Sequence, residues 1–77
     1  MTTNEDINWN HQATSIIKAM LARKNLKYHD LAKLLQAEGI DESQNSIANK
    51  LSRGTFSFTF VLQCMYVLRI NKIDIEA

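Results

Sequence analysis

The stretch that decides the fold is Leu31–Ser57, LAKLLQAEGIDESQNSIANKLSRGTFS. Together with Tyr28, the apolar residues Leu31, Ala32, Leu34 and Leu35 recur at helical spacing and predict a helix that stops around Gly39. Its start has Lys27 where Ser or Thr would cap, although Asp30, three residues on, can accept from the exposed first-turn amides. Asp41 followed by Gln44 has the spacing of a capping box and opens the next predicted helix, which Gly54 closes. The apolar stripe of that helix, Ile47, Ala48 and Leu51, is narrow. Everything else on it is polar: Glu42, Ser43, Gln44, Asn45, Ser46, Asn49, Lys50, Ser52 and Arg53. A helix with so little to bury and so many amide side chains presents a wide hydrogen-bonding face.

Upstream, Trp9, Ala13, Ile16, Ile17, Met20 and Leu21 line one face of a helix that ends near Lys24, with Asn25 suited to a left-handed closing position. Trp9 is expected to plug the core at the start of that helix. Downstream, Ser57 caps a fourth segment whose main stripe is Phe58, Val61, Leu62, Met65 and Leu68, widened by Cys64 and Val67 to nearly all round, so this helix is expected to be central. Ile70, Ile73 and Ile75 follow in a tail whose spacing fits neither helix nor strand. The expectation is an all-α bundle of four to five short helices, one domain over residues 1–77 with its core at about 8–70 and flexible termini. A chain of 77 residues that is 45% hydrophobic supports one packed core. At this size only about 60% of the unfolded surface is buried, which makes self-association an expectation.

Several function classes drop out. No apolar run approaches the length of a membrane span and the polar, acidic start is unlike a signal peptide, so a cytoplasmic protein is expected. His11, His29 and Cys64 lie in different segments without the short spacings of zinc sites, and there is no glycine-rich phosphate loop. Cys64 falls in the apolar fourth segment and is expected as a core thiol. Asp30, Glu38, Asp41 and Glu42 sit near helix ends, where capping and the helix dipole explain them. No catalytic site, metal, cofactor or small-molecule substrate is implied.

Leu31-Ala32, Ala48 with Leu51, Arg53-Gly54, and Ser57 ahead of an apolar helix occupy the places that define a known layout. Over about residues 16–70 the chain resembles the lambda-repressor-like helix-turn-helix fold of phage and bacterial repressors (Cro-type, XRE-like). The turn around Glu38–Ser43 is longer than is common there and looks like that of the POU-specific domain, a related DNA-binding fold. Ser52 replaces the glutamate often found before Arg-Gly, and Lys27 and Tyr28 replace the usual cap and phosphate-touching Gln. Asn49–Ser57 with Phe60, Gln63 and Cys64 is also similar to a family of small bacterial domains of unknown function, which implies a fold and no activity.

The helix-turn-helix resemblance implies double-stranded DNA as partner and a small transcriptional regulator as role. If the third helix enters a major groove, Gln44 and Asn45 at its N-terminal end reach base edges. Asn49 can read adenine through its amide, and Lys50 can donate to guanine or phosphate. Lys18, Arg23, Lys24, Lys27 and Arg53 are the phosphate-neutralising candidates, helped by Tyr28 and Ser57 at helix first turns. A merely solvated polar helix is the plain alternative, and Arg53 can equally bond the last carbonyls of its own helix.

Phe56, Phe60 and Tyr66 are unexpected apolar groups, positions 60 and 66 being usually polar and exposed in this layout. Phe60 either covers the long turn or belongs, with Phe56, Tyr66, Ile73 and Ile75, to a partner surface that would make a homodimer. The competing class is a protein-interaction module, an adaptor, antitoxin or inhibitor on the same helical scaffold. Nine Lys/Arg against eight Asp/Glu give a net charge of only +1. Four of those acids, Glu5, Asp6, Asp74 and Glu76, lie at the ends, so residues 7–73 carry nine basic against four acidic side chains, or +5.

Overall fold

The computed structural model describes residues 7–73 and residue 75. The acidic residues Glu5, Asp6, Asp74 and Glu76, and the expectation of flexible termini, lie outside the described residues. The chain folds as an all-α globule of four helices, α1 Trp9–Arg23, α2 Tyr28–Ala37, α3 Gln44–Arg53 and α4 Phe58–Leu68, with no strand among the described residues.

Each helix begins and ends for local reasons. Asn8, Ser43 and Ser57 cap α1, α3 and α4, their side-chain oxygens accepting from the amides of His11, Ser46 and Phe60 at 3.0 Å. Asp30 accepts from the Lys27 amide at 2.9 Å and so closes the start of α2 that lacks a hydroxyl cap. The cap of α3 corrects the expectation of a box opened by Asp41. The helix starts at Gln44, so Asp41 is stranded two residues before the cap and is exposed. At the other ends Asn25, Gly39 and Arg69 turn left-handed, with φ of 56°, 78° and 57°. The amides that follow them, of Leu26, Ile40 and Ile70, return to the carbonyls of Leu21, Leu35 and Met65 at 2.9, 3.0 and 2.9 Å, the closure that uses up orphaned helix carbonyls.

The core draws on every helix: Ile17, Met20 and Leu21 of α1, Leu31, Ala32 and Leu35 of α2, Ile47 and Leu51 of α3, and Phe60, Cys64 and Leu68 of α4. α2 packs on α3 and α4, and α1 packs on the same two helices. Two tertiary ties fix α3 against α1. Thr14 donates from its buried hydroxyl to the Leu51 carbonyl at 2.7 Å. Gly54, at φ 70°, lies so close to the start of α1 that a Cβ there would stand 2.7 Å from the carbonyl carbon of Asn10.

That close approach explains why Trp9 is not the expected plug. The first turn of α1 meets Gly54 through the backbone of Asn10, the buried stripe begins only at Thr14, and Trp9 is turned outward, 52% exposed. α4 also departs from expectation. Its buried stripe is Phe60, Cys64 and Leu68, while Phe58 and Leu62 are 66% and 50% exposed, so α4 is not buried all round. Both four-residue stripes are apolar and lie on opposite sides of the helix, so periodicity alone does not choose between them.

Candidate nucleic-acid interface

α3 buries Ile47 and Leu51 and turns Asn45, Asn49, Ser52 and Arg53 to solvent. At 100° per residue these exposed positions share the face opposite the buried pair. Gln44, exposed in the first turn, lies at the junction of three helices, where it lines a shallow groove of about 420 Å³ with Lys18, Leu21, Ala22, Leu26, Lys27 and Tyr28. A second groove of about 430 Å³ lies at the opposite end of α3 and is lined by His11, Thr14, Lys18, Ser52 and Arg53 among others. Lys18 borders both, so α1 runs beside α3 and contributes a cation midway between its ends.

Of the sequence candidates, Gln44, Lys18, Lys27 and Tyr28 are therefore brought together, and Arg53 joins Lys18 at the far groove. Asn45 and Asn49 lie between on the exposed face of α3. Arg23 and Lys24 are exposed at the end of α1 and line neither groove. Ser57 is committed to capping α4 through its contact with the Phe60 amide.

Lys50 occupies a different place from the one expected of a base-reading residue. Its ammonium donates to the Glu42 carboxylate and lies 4.7 Å from the centroid of the Phe60 ring, a cation–π contact. Glu42 is buried, and its other carboxylate oxygen accepts from the Ser46 hydroxyl. Its backbone carbonyl accepts from the Gln36 side-chain amide at 2.7 Å. Burial pushes the Glu42 carboxyl up, but the hydrogen bonds from Lys50 and Ser46 and the charge of Lys50 outweigh it and hold the pKa below its ordinary value. The pair pins the long α2–α3 turn to the body of α3.

Glu42 is the residue that sequence reasoning undervalued. Its proximity to a helix start accounts for a carboxylate without revealing the lysine two turns along that it meets. Phe60 is likewise a packing residue, 2% exposed, and Phe56 is half-buried against it with ring centroids 5.5 Å apart in edge-to-face geometry. Phe60 is thereby removed from the expected partner surface, while Phe56 and Ile73 pack on the core and stay half-exposed. Tyr66 and Ile75 are exposed. Cys64 is fully buried, and burial, with the nearby Glu42 charge, raises its thiol to about 12, so it is protonated at neutral pH.

Charge is unevenly distributed. Between residues 7 and 73 the acidic side chains are Asp30, Glu38, Asp41 and Glu42, all within one stretch of α2 and the turn after it. α1 and α3 contain none. The α1–α3 side thus combines a row of amides with Lys18, Lys27 and Arg53 and has no carboxylate of its own helices to oppose an anion. No helix among the described residues is long and apolar enough to cross a membrane, and no three His, Cys, Asp or Glu side chains cluster as metal ligands there.

A family model described as a domain of unknown function, DUF6471, matches residues 9–73. No curated protein and no solved structure matches the chain.

Proposed function

This chain belongs to the DUF6471 family, a domain of unknown function, and we propose that it is a sequence-specific DNA-binding protein acting as a small transcriptional regulator. In this reading α2, the extended turn over residues 38–43 and α3 form a helix-turn-helix, and the exposed face of α3 enters the major groove. Gln44, Asn45 and Asn49 read base edges, the amide pairing with adenine being the expected contact. Lys18, Lys27 and Arg53 hold the flanking phosphates, with Tyr28 beside Lys27. The observation that carries the proposal is that α1 and α3 contain no acidic residue and line the grooves with amides and cations, the nearest carboxylates, Asp30 and Glu42, being engaged by the Lys27 amide and by Lys50.

Lys50 is assigned a supporting role. An ammonium already engaged by Glu42 and Phe60 orients α3 and contributes little to the salt dependence of binding. The test is titration of random and selected duplexes at about 50 and about 200 mM salt. Neutralising three phosphates, at a slope of about −0.9 each, predicts a loss on the order of fortyfold between the two. Lys18→Ala and Lys27→Ala should each lower the salt slope by about one, whereas Gln44→Ala should relax base preference at one position. Lys50→Ala should leave the slope near that of the parent. Affinity for duplex that is absent at low salt, or insensitive to salt, would sink the proposal.

A protein-interaction module is the second reading, favoured by the exposed apolar residues of α4. It predicts no loss with salt because it predicts no duplex binding at all.

A further inference from the structure

We propose that the outer face of α4 is a self-association surface that pairs two copies of this chain about a two-fold axis at Leu62. Phe58, Leu62 and Tyr66 are 66%, 50% and 69% exposed and recur every fourth residue, on the side of α4 opposite the buried Phe60, Cys64 and Leu68. A helix that is apolar on both sides is normally covered on both. Here the inner side is covered by α1 and α2, and the outer side faces solvent.

The chemistry of the stripe selects its occupant. From Phe58 to Leu68 the helix has no charged residue, so it offers nothing to an acidic or basic partner. The order aromatic, leucine, aromatic reads the same in both directions. An axis through Leu62 therefore sets Leu62 against Leu62 and Phe58 against Tyr66 of the second copy, the self-complementary arrangement that a two-fold interface requires. Ridges four residues apart on both helices interdigitate at a crossing angle of about −50°.

Area sets the strength of this pairing. The three side chains leave roughly 300–400 Å² of apolar surface on each copy, as large as the largest patch an ordinary monomer carries. Leu34 on α2 is 37% exposed and shares a cavity of about 250 Å³ with Ala37, Glu38, Tyr66, Val67 and Arg69, so on that side the apolar stripe meets a charged rim. Two such faces bury roughly 600–800 Å² of apolar surface, below the about 1,200 Å² of standard interfaces, which corresponds to a weak, reversible dimer rather than an obligate one.

The test is sedimentation equilibrium of the full chain without DNA, from about micromolar to about millimolar concentration, so its outcome is independent of the duplex titrations. The parent should dimerise with rising concentration. Leu62→Glu and Tyr66→Lys should each weaken the dimer about a hundredfold or more, while circular dichroism melting shows both variants still folded. With Cys64 buried, Leu62→Cys should be joined to itself by a short bismaleimide, and Asn49→Cys should not. A parent that stays monomeric throughout overturns the proposal. So does a dimer that persists in both charged variants, or one that cross-links through position 49 in preference to 62.

Discussion

α3 and α4 have 10 and 11 residues and each buries one stripe, yet they turn opposite chemistry outward: amides and a guanidinium on α3, two aromatics and a leucine on α4. The inward faces differ as well. α3 brings only Ile47 and Leu51 to the core, worth roughly 3–6 kcal/mol of burial together. That small contribution is supplemented by polar and steric ties at both ends: Glu42 with Lys50 near the start, Thr14 with Leu51 and Gly54 against Asn10 near the finish. α4 needs no such ties, because Phe60, Cys64 and Leu68 are joined by half-buried Val61, Met65 and Val67. A helix whose outer face is reserved for polar contacts is held by its ends, whereas an apolar helix is held along its length.

The largest effect is expected where α3 ends. Gly54→Ala places a side chain at positive φ and into the Asn10 backbone, which cannot move aside as a flexible side chain would. The expected loss is about 2–4 kcal/mol in urea unfolding. A loss under about 0.5 kcal/mol, the range of ordinary surface changes, would show that the α1 contact does not hold the end of α3.

Glu42→Gln acts at the other end and is expected to cost about 1–3 kcal/mol at neutral pH, because Lys50 keeps its place over Phe60 without a counter-ion. The folded pKa of Glu42 lies below its ordinary value of 4.5, so the stabilisation it provides is complete above that pH and is lost as pH falls through the lower folded value. Stability measured against pH should therefore drop less on the acid side in Glu42→Gln than in the parent. Parallel acid limbs in the two proteins would remove the pair from the account of how α3 is held.

The smallest effect is expected at the end of α4. Arg69 closes that helix at φ 57°, where α3 has a glycine. Arg69→Gly relieves the Cβ strain of a left-handed residue, offset by the greater entropy of an unfolded glycine, and should stabilise the fold by about 0.5–1 kcal/mol in thermal melts. A destabilised Arg69→Gly would mean that the arginine side chain contributes more than its backbone costs.

Much of the fold was legible along the chain because the signals are local. Asn25, Gly39 and Gly54 mark helix ends by their tolerance of left-handed geometry, and Ser57 marks a start by its hydroxyl. Arg69 takes the same conformation without any such mark, because the return of the Ile70 amide to Met65 and the packing of Ile70 on the core impose it. Within the candidate site, the exposed amides of α3 were readable as the remainder left by its narrow apolar stripe. Lys50 was not, since its spacing places it on α3 but not beside Glu42 and Phe60, which meet it only when the turn and α4 fold over.

The sequence by itself determined the four helices, the Ser57 cap, the left-handed ends at Asn25 and Gly39 and the polar character of α3, since each depends on residues within one or two turns of one another. Tertiary structure alone decided which stripe of α4 faces inward, that Trp9 points out, and that Lys50 is held within the fold. Those choices compare alternative faces of equal local merit, and only the shape of the neighbouring helices separates them.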